Sequence, residues 1–229
     1  MKINRLITAI LTIAVLIITL ASCVTSPVRE RGRDFSVNMD SPQFNIGEIE
    51  LQMSFVMEMG DLKKHSVPVI YFPKEDAVCI RFRKDYFTYS QFWDKKGREL
   101  FIEALRLYNE DFNEKNLDSR DRKSRQRYGI TRGYLNWQQF SYTIRNRGNM
   151  NLELGYGFKN RSPYFIITQQ EAKYIDEISR DNDATSVAFP LYFTRAQAGE
   201  LANMFQQEFL NSLQQDASPQ FNNDFYFEQ

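Results

Sequence analysis

Residues 48–59 read Glu-Ile-Glu-Leu-Gln-Met-Ser-Phe-Val-Met-Glu-Met, and this stretch carries the pattern that decides the fold class. Every second position from 49 to 59 is apolar, and the positions between them are mostly polar. A period of two puts alternate side chains on opposite faces of a β-strand. A strand with one apolar and one polar face is typical of an antiparallel sheet with one face in water.

Further strands and two helices follow from the same kind of pattern. Short apolar or alternating segments predict strands at 67–72, 78–82, 163–167 and 187–193. Segments 140–144 and 152–158 alternate on either side of Gly148-Asn149, which predicts a β-hairpin turning at that dipeptide. Apolar residues at helical spacing predict helices at about 89–114 and 195–213.

The order of these elements repeats. Tyr86-Phe87-Thr88 is followed by Gln91, and Tyr192-Phe193-Thr194 is followed by Gln197. Thr with Gln three residues later is a capping-box pattern, and Thr168 with Glu171 is a third example. We therefore predict an α+β fold, a mainly antiparallel sheet with two to three helices. Pseudo-duplicated β-β-β-α units are expected at 47–117 and 138–213, and chance recurrence of common residues is the alternative.

The amino terminus has the features of an export signal. Lys2 and Arg5 precede an uncharged apolar run at 6–20, which is shorter than the ~20 residues that span a bilayer. Leu20-Ala21-Ser22-Cys23 resembles the lipobox of bacterial lipoproteins. The resemblance implies cleavage after residue 22 and a diacylglycerol thioether on Cys23. An uncleaved membrane helix is the alternative.

The lipobox also sets the predicted domain boundaries. Residues 1–22 form the signal peptide, 23–45 the lipidated end and a flexible tether, 46–215 a single domain, and 216–229 a tail. Residue 24 is Val rather than Asp, which by analogy with bacterial lipoproteins favours the outer membrane, facing the periplasm. With Cys23 lipidated, only Cys79 remains, so no intramolecular disulfide is expected. Cys79 is predicted to be an inert cysteine in a strand.

Few residues are marked for chemistry. The single histidine, His65, lies in a polar connector, and no orienting acid or nucleophile is recognisable near it. Zinc sites need several His or Cys ligands, and no alternating calcium loop is present. Gly155-Tyr156-Gly157 lacks the third glycine of a nucleotide-binding motif and is interpreted as close strand packing. No catalytic residue, metal or cofactor is therefore predicted.

Charge is strongly segregated along the chain. Residues 120–161 have a net charge of +8, whereas residues 162–229 have −7. Arginine can hold an anion through two parallel hydrogen bonds. The predicted anion or partner site consists of Arg127, Arg132, Trp137, Arg145 and Arg147. The alternatives are internal neutralisation by the acidic carboxy-terminal segment and a solvated loop.

These features predict a lipid-anchored, non-catalytic cell-envelope lipoprotein that binds a partner or ligand. Its partners would be the membrane, through Cys23, and an envelope protein, a glycan or an anionic lipid. Export makes nucleic acid an unsuitable partner for the basic segment. Two alternatives stay open, namely an envelope hydrolase that uses unmarked carboxylates and a domain that contacts the bilayer directly.

Overall fold

The structure, a computed structural model, describes residues 35–54, 61–140, 146–172 and 185–217, with side chains to residue 214. The predicted signal peptide, Cys23, Arg145 and most of the predicted tail lie outside these residues. None of the described helices has the length and apolar character needed to cross a membrane.

Eight strands and three α-helices form the described fold. The strands are β1 (Phe44–Ser54), β2 (Leu62–Phe72), β3 (Ala77–Lys84), β4 (Phe87–Trp93), β5 (Gly129–Gln139), β6 (Asn146–Lys159), β7 (Ser162–Gln169) and β8 (Phe189–Phe193). The helices are α1 (Lys95–Asn113), α2 (Arg195–Phe205) and α3 (Gln207–Ala217), and a short 3-10 helix lies at Ser124–Gln126.

The strands form a closed antiparallel barrel. Each strand pairs with the next, and β8 returns to β1 through the pair Tyr192 and Gln52. The predicted α+β fold, an open sheet covered by helices, is therefore wrong, although the antiparallel pairing is as expected. Alternation indicates which residues share a face, but closure depends on strand number, tilt and stagger, which are properties of the whole sheet.

The two ends of the barrel differ. At one end, the helix end, β4 leads into α1 and β8 leads into α2. At the other, the hairpin end, the odd-numbered strands finish and the even-numbered strands begin. Trp93 packs against Phe101 of α1 and Phe205 of α2, with ring centroids 5.8 and 5.4 Å apart. The two helices thus extend the barrel core at the helix end.

The predicted β-β-β-α units are also wrong, because four strands precede each of α1 and α2. Residues 89–93 belong to β4, and α1 is capped by Asp94, whose Oδ1 accepts a 2.7 Å hydrogen bond from the amide of Gly97. Thr88 therefore lies in a strand, as does Thr168. The capping box of Thr194 and Gln197 is confirmed. A capping pattern is short enough to occur in strands by chance.

Two further boundaries differ from prediction. Gly148 and Asn149 lie inside β6, paired with Leu135 and Tyr134 of β5, so the chain does not turn there. Pairing with a long neighbouring strand overrides the turn preference of this dipeptide. The predicted helix at 195–213 is divided into α2 and α3 at Gln206, whose ψ of 133° is extended.

A second, smaller core lies outside the barrel. Val37 is 6% exposed, and with Phe35 and Met39 it covers apolar side chains on the outer face. The covered residues are Ile70, Phe72, Ala77, Cys79, Phe92 and Tyr134. Part of the segment predicted as a flexible tether, residues 35–43, therefore packs on the barrel before β1 begins.

Candidate functional site

The candidate site is a groove on the outer face of β3, β4 and β5, beside the segment that precedes β1. Its cavity volume is about 430 Å³, which falls within the usual range for small-molecule sites. It is lined by Met39, Asp40, Gln43, Arg81, Thr88, Ser90, Asn136, Trp137 and Gln138. We call it the arginine groove.

Strand register aligns the polar groups of the groove. Arg81 of β3 is opposite Ser90 of β4, and Ser90 is opposite Asn136 of β5. Asn136 is in turn opposite Arg147 of β6, which continues the row beyond the groove. Since neighbouring strands lie about 4.8 Å apart, the row spans roughly 14 Å across the barrel surface.

A second row runs parallel to the first, one step nearer the hairpin end. Arg83, Thr88 and Gln138 are opposite one another in register. Because side chains alternate along a strand, both rows face outward while the residues between them point into the barrel. The outer surface therefore presents guanidinium, hydroxyl and amide groups together.

The arginines of this surface are oriented by neutral partners. Arg81 donates from Nε to Ser90 Oγ over 3.3 Å, and Arg147 donates to the Tyr134 hydroxyl. The guanidinium of Arg83 lies 5.0 Å from the ring centroid of Phe140. Within the described ranges, none of these three arginines forms an ion pair. Their positive charge can therefore interact with an anionic ligand.

The five predicted site residues are dispersed by the fold. Arg147 lies at the end of the first row, whereas Arg132 lies farther along the outward face of β5 and does not line the groove. Trp137 borders the groove but is only 3% exposed and belongs to the barrel core. Arg145 lies outside the described residues.

Arg127, the fifth predicted residue, has a structural role. Its Nε donates to Asp111 Oδ2 over 3.0 Å, and its Nη1 lies 3.4 Å from Asp121 Oδ2. The Tyr128 hydroxyl also donates a hydrogen bond to Asp111 Oδ2. The pKa of Tyr128 is raised mainly by burial and to a smaller extent by this hydrogen bond. Internal neutralisation is thus found at Arg127, but it comes from α1 and the following loop rather than from the acidic carboxy-terminal segment.

The loop that contains Arg127 packs closely against β6 at Gly155, where there is no side chain. A Cβ atom added to Gly155 would lie 2.0 Å from the carbonyl oxygen of Ser124 and 2.4 Å from the carbonyl carbon of Arg125. Gly157 is similarly close to Ile166 of the next strand. The predicted close strand packing is found at Gly157, whereas Gly155 packs against the 3-10 helix at Ser124–Gln126 instead.

The groove residues Arg81, Ser90 and Asn136 were missed by sequence reasoning. The alternation of the strand predicted at 78–82 puts Arg81 on its polar face, and this was the available signal. Ser90 falls within the helix predicted at about 89–114, and Asn136 falls in no predicted element. Three adjacent strands contribute one residue each, so the site becomes visible only when β4 is recognised as a strand.

The remaining candidates for chemistry are structural. Cys79 is fully buried, and this burial raises the pKa of its thiol to about 12, so the reactive thiolate is strongly disfavoured. His65 lies in β2, opposite Leu51, rather than in a connector. Among the described residues, no group of three or more His, Cys, Asp or Glu side chains is placed to hold a metal ion.

Comparison with known proteins identifies a family but no function. A family model described as "Uncharacterised Treponema protein" matches residues 29–212. That range includes all eight strands and the whole arginine groove. No curated protein and no solved structure matches the chain.

Proposed function

We propose that this chain, which belongs to the family described as "Uncharacterised Treponema protein", is a non-catalytic lipoprotein of the cell envelope that binds an acidic glycan in the arginine groove. The observation that carries the proposal is the row of Arg81, Ser90 and Asn136, with Arg147 beyond it. This row combines cations with neutral hydrogen-bonding groups on one outer face. Arg81 and Asn136 are partly exposed, and Ser90 lines the groove although it is only 6% exposed.

The chemistry of the lining favours a glycan over the other partners considered. Hydroxyl and amide side chains can donate and accept hydrogen bonds, as sugar hydroxyls require. The hydrogen bond from its Nε to Ser90 orients the Arg81 guanidinium, and its two Nη groups can bind a carboxylate through parallel hydrogen bonds. Asp40, also in the lining, can accept a hydrogen bond from a sugar hydroxyl. An acidic sugar of the cell wall carries both the carboxylate and the hydroxyl groups that these side chains can bind.

The anchoring part of the proposal is supported by the lipobox. Lipid on Cys23 would hold the barrel at a membrane, and Val24 favours the outer membrane with the domain in the periplasm. Labelled palmitate should be incorporated by the wild-type protein in cells and not by Cys23→Ala. Equal labelling of the two proteins would refute lipidation at this residue.

We propose binding rather than hydrolysis because Asp40 is the one carboxylate among the described residues that line the groove, and because a carboxylate pair brought together elsewhere is already compensated. Asp111 and Asp121 both contact Arg127, which joins the loop to α1. A glycoside hydrolase needs two carboxyl groups that face a substrate from opposite sides. The contacts of Asp111 and Asp121 instead support a role in stabilising the fold.

Glycan binding is tested with a soluble form that begins at residue 23 and carries Cys23→Ser. Its dissociation constants would be measured by calorimetry for muramic-acid-containing cell-wall fragments and for neutral chitooligosaccharides of equal length. We expect the acidic fragments to bind more tightly. Arg81→Gln should weaken their binding by about tenfold or more, since hydrogen bonds to charged groups contribute about 1.5–3 kcal/mol.

The matched control is Arg122→Gln, which removes the same charge from an exposed residue outside the groove. Asn136→Ala should weaken both ligands, because it removes an uncharged hydrogen-bonding group. Equal affinity for acidic and neutral glycans, or an equal effect of Arg81→Gln and Arg122→Gln, would contradict the proposal.

A further inference from the structure

Two large aromatic side chains are exposed at the hairpin end of the barrel. Phe140 is 71% exposed and Tyr86 is 67% exposed. In the described part of the chain, only Val187 and Phe209 join them as exposed large hydrophobic residues, and Val187 also lies at the hairpin end, just before β8. The exposed apolar surface is therefore concentrated at this end.

Tyr86 and Phe140 belong to one local structure. Tyr86 lies in the turn between β3 and β4, and Phe140 directly follows β5. The amide of Phe140 donates a 2.9 Å hydrogen bond to the carbonyl oxygen of Tyr86. This bond extends the β4–β5 pairing one residue beyond its last pair, Phe87 and Gln139. The two aromatic residues are therefore neighbours, and together we call them the aromatic tip.

An arginine side chain flanks this aromatic tip. The Arg83 guanidinium lies 5.0 Å from the centroid of the Phe140 ring, and Arg83 is exposed. The nearest acidic residue in the turn, Asp85, is compensated by Lys84, whose Nζ lies 2.7 Å from its Oδ2. The tip therefore combines exposed aromatic rings with arginine charge.

We infer that the aromatic tip docks on the surface of an anionic lipid bilayer. Tyrosine is enriched at the interface between lipid and water, and phenylalanine buries readily below the headgroups. The positive charge of Arg83 beside them is attracted to anionic headgroups. A lipid anchor and a second membrane contact bind more stably together than one alone.

The length of the connecting chain makes this contact feasible. The inference rests on the proposed anchoring at Cys23 in one respect, namely the reach of the chain from that residue. Residues 24–34, 11 in number, separate Cys23 from the described segment. Fully extended, this connection reaches roughly 40 Å. The ring centroid of Phe35 lies 6.3 Å from that of Tyr134. Tyr134 and Phe140 are six residues apart along the chain, which corresponds to roughly 20 Å in a strand. The anchor and the tip can thus meet the same bilayer.

The test uses the soluble Cys23→Ser form, so that binding by the tip is measured without the anchor. Flotation would be measured with vesicles of phosphatidylcholine alone and with vesicles that also contain phosphatidylglycerol. We expect binding to the anionic vesicles that decreases with added salt. Tyr86→Ser and Phe140→Ser should each reduce the vesicle-bound fraction several-fold, and Arg83→Gln should reduce it only on anionic vesicles.

Phe209→Ser is the matched control, because Phe209 is an exposed aromatic residue on α3, away from the hairpin end. Absence of flotation on anionic vesicles would overturn the inference, as would flotation unchanged by Tyr86→Ser and Phe140→Ser. Palmitate labelling reports separately on the anchor, and glycan affinity reports on the groove. Failure of either would be distinguishable from failure of the tip.

Discussion

The guanidinium of Arg98 donates a 2.6 Å hydrogen bond to the carbonyl oxygen of Asp76 and a 2.8 Å hydrogen bond to its Oδ1. Arg98 is only 1% exposed, and its Nη2 also donates to Gln207 Oε1 over 2.7 Å. Asp76 has a φ of 47° in the turn between β2 and β3. One buried side chain thus joins this turn to α1 and α3 at the helix end.

Replacement of Arg98 should destabilise the barrel. We expect Arg98→Met to lower the free energy of unfolding by about 3 kcal/mol, since removal of one member of a buried pair leaves its partner uncompensated. The estimate is at the low end because the Asp76 side chain is 38% exposed. Urea unfolding followed by circular dichroism measures the change. Arg106→Met, on the exposed face of α1, should leave the midpoint unchanged; equal midpoint shifts in both variants would contradict this role of Arg98.

Addition of one methyl group at Gly155 should disturb the loop that carries Arg127. The new Cβ would lie 2.0 Å from the Ser124 carbonyl oxygen, so backbone must move. Gly155→Ala should cost about 2 kcal/mol, as overpacking of cores typically does. Gly199→Ala is the control, because no atom lies within 4 Å of its added Cβ and it lies inside α2. That variant should gain about 0.5–1 kcal/mol, and a similar loss in both would contradict the packing argument.

Arg127 should matter for stability and not for ligand binding. Its side chain is 43% exposed, so the loss of its contacts in Arg127→Gln should cost only about 1 kcal/mol. Glycan affinity of the folded variant should equal that of the wild type, because the residue does not line the arginine groove. Calorimetric titration at a temperature where both proteins are folded checks this expectation. A tenfold loss of affinity would contradict this prediction and would show that Arg127 contributes to ligand binding.

The buried thiol of Cys79 should give a defined pH dependence. Burial raises its pKa from 9.0 to about 12, so the unfolded chain loses this proton at lower pH than the folded protein. The thiol therefore contributes stability that falls as pH rises from about 9 towards 12. Subtraction of the stability profile of Cys79→Ala from that of the wild type isolates this contribution, since buried tyrosines affect both proteins alike. A flat difference between pH 9 and 11 would contradict it.

Reactivity provides a second measurement of the same burial. At pH 8 a thiol reagent should label Cys79 only at the rate at which the protein unfolds. Addition of urea above the unfolding midpoint should make labelling rapid. Fast labelling of the folded protein would show that the residue is accessible.

Local sequence was sufficient for most of the strands. The alternation through Leu51 and Met53 identified the second half of β1, and apolar runs identified the second half of β2 and most of β7, because alternate positions of a strand occupy opposite faces. Residues 55–59, where the alternation continues, lie outside the described residues. The capping box at Thr194 was also predicted, since its partners are three residues apart. The same locality explains the error at Thr88, where a matching pattern lies within a strand.

The sequence by itself therefore determined where most strands lie and which of their faces is apolar. The burial of Cys79, on the outward face of β3, was decided by the packing of Val37 and its neighbours on the barrel. Tertiary structure decided that β8 meets β1 to close a barrel, and that Trp137 points inward while Arg81, Ser90 and Asn136 share one outer surface. The physical reason is that periodicity assigns a residue to a face, whereas its neighbours across that face are set by strand pairing and register. Those pairings join residues far apart in the chain, and the arginine groove and the aromatic tip both depend on them.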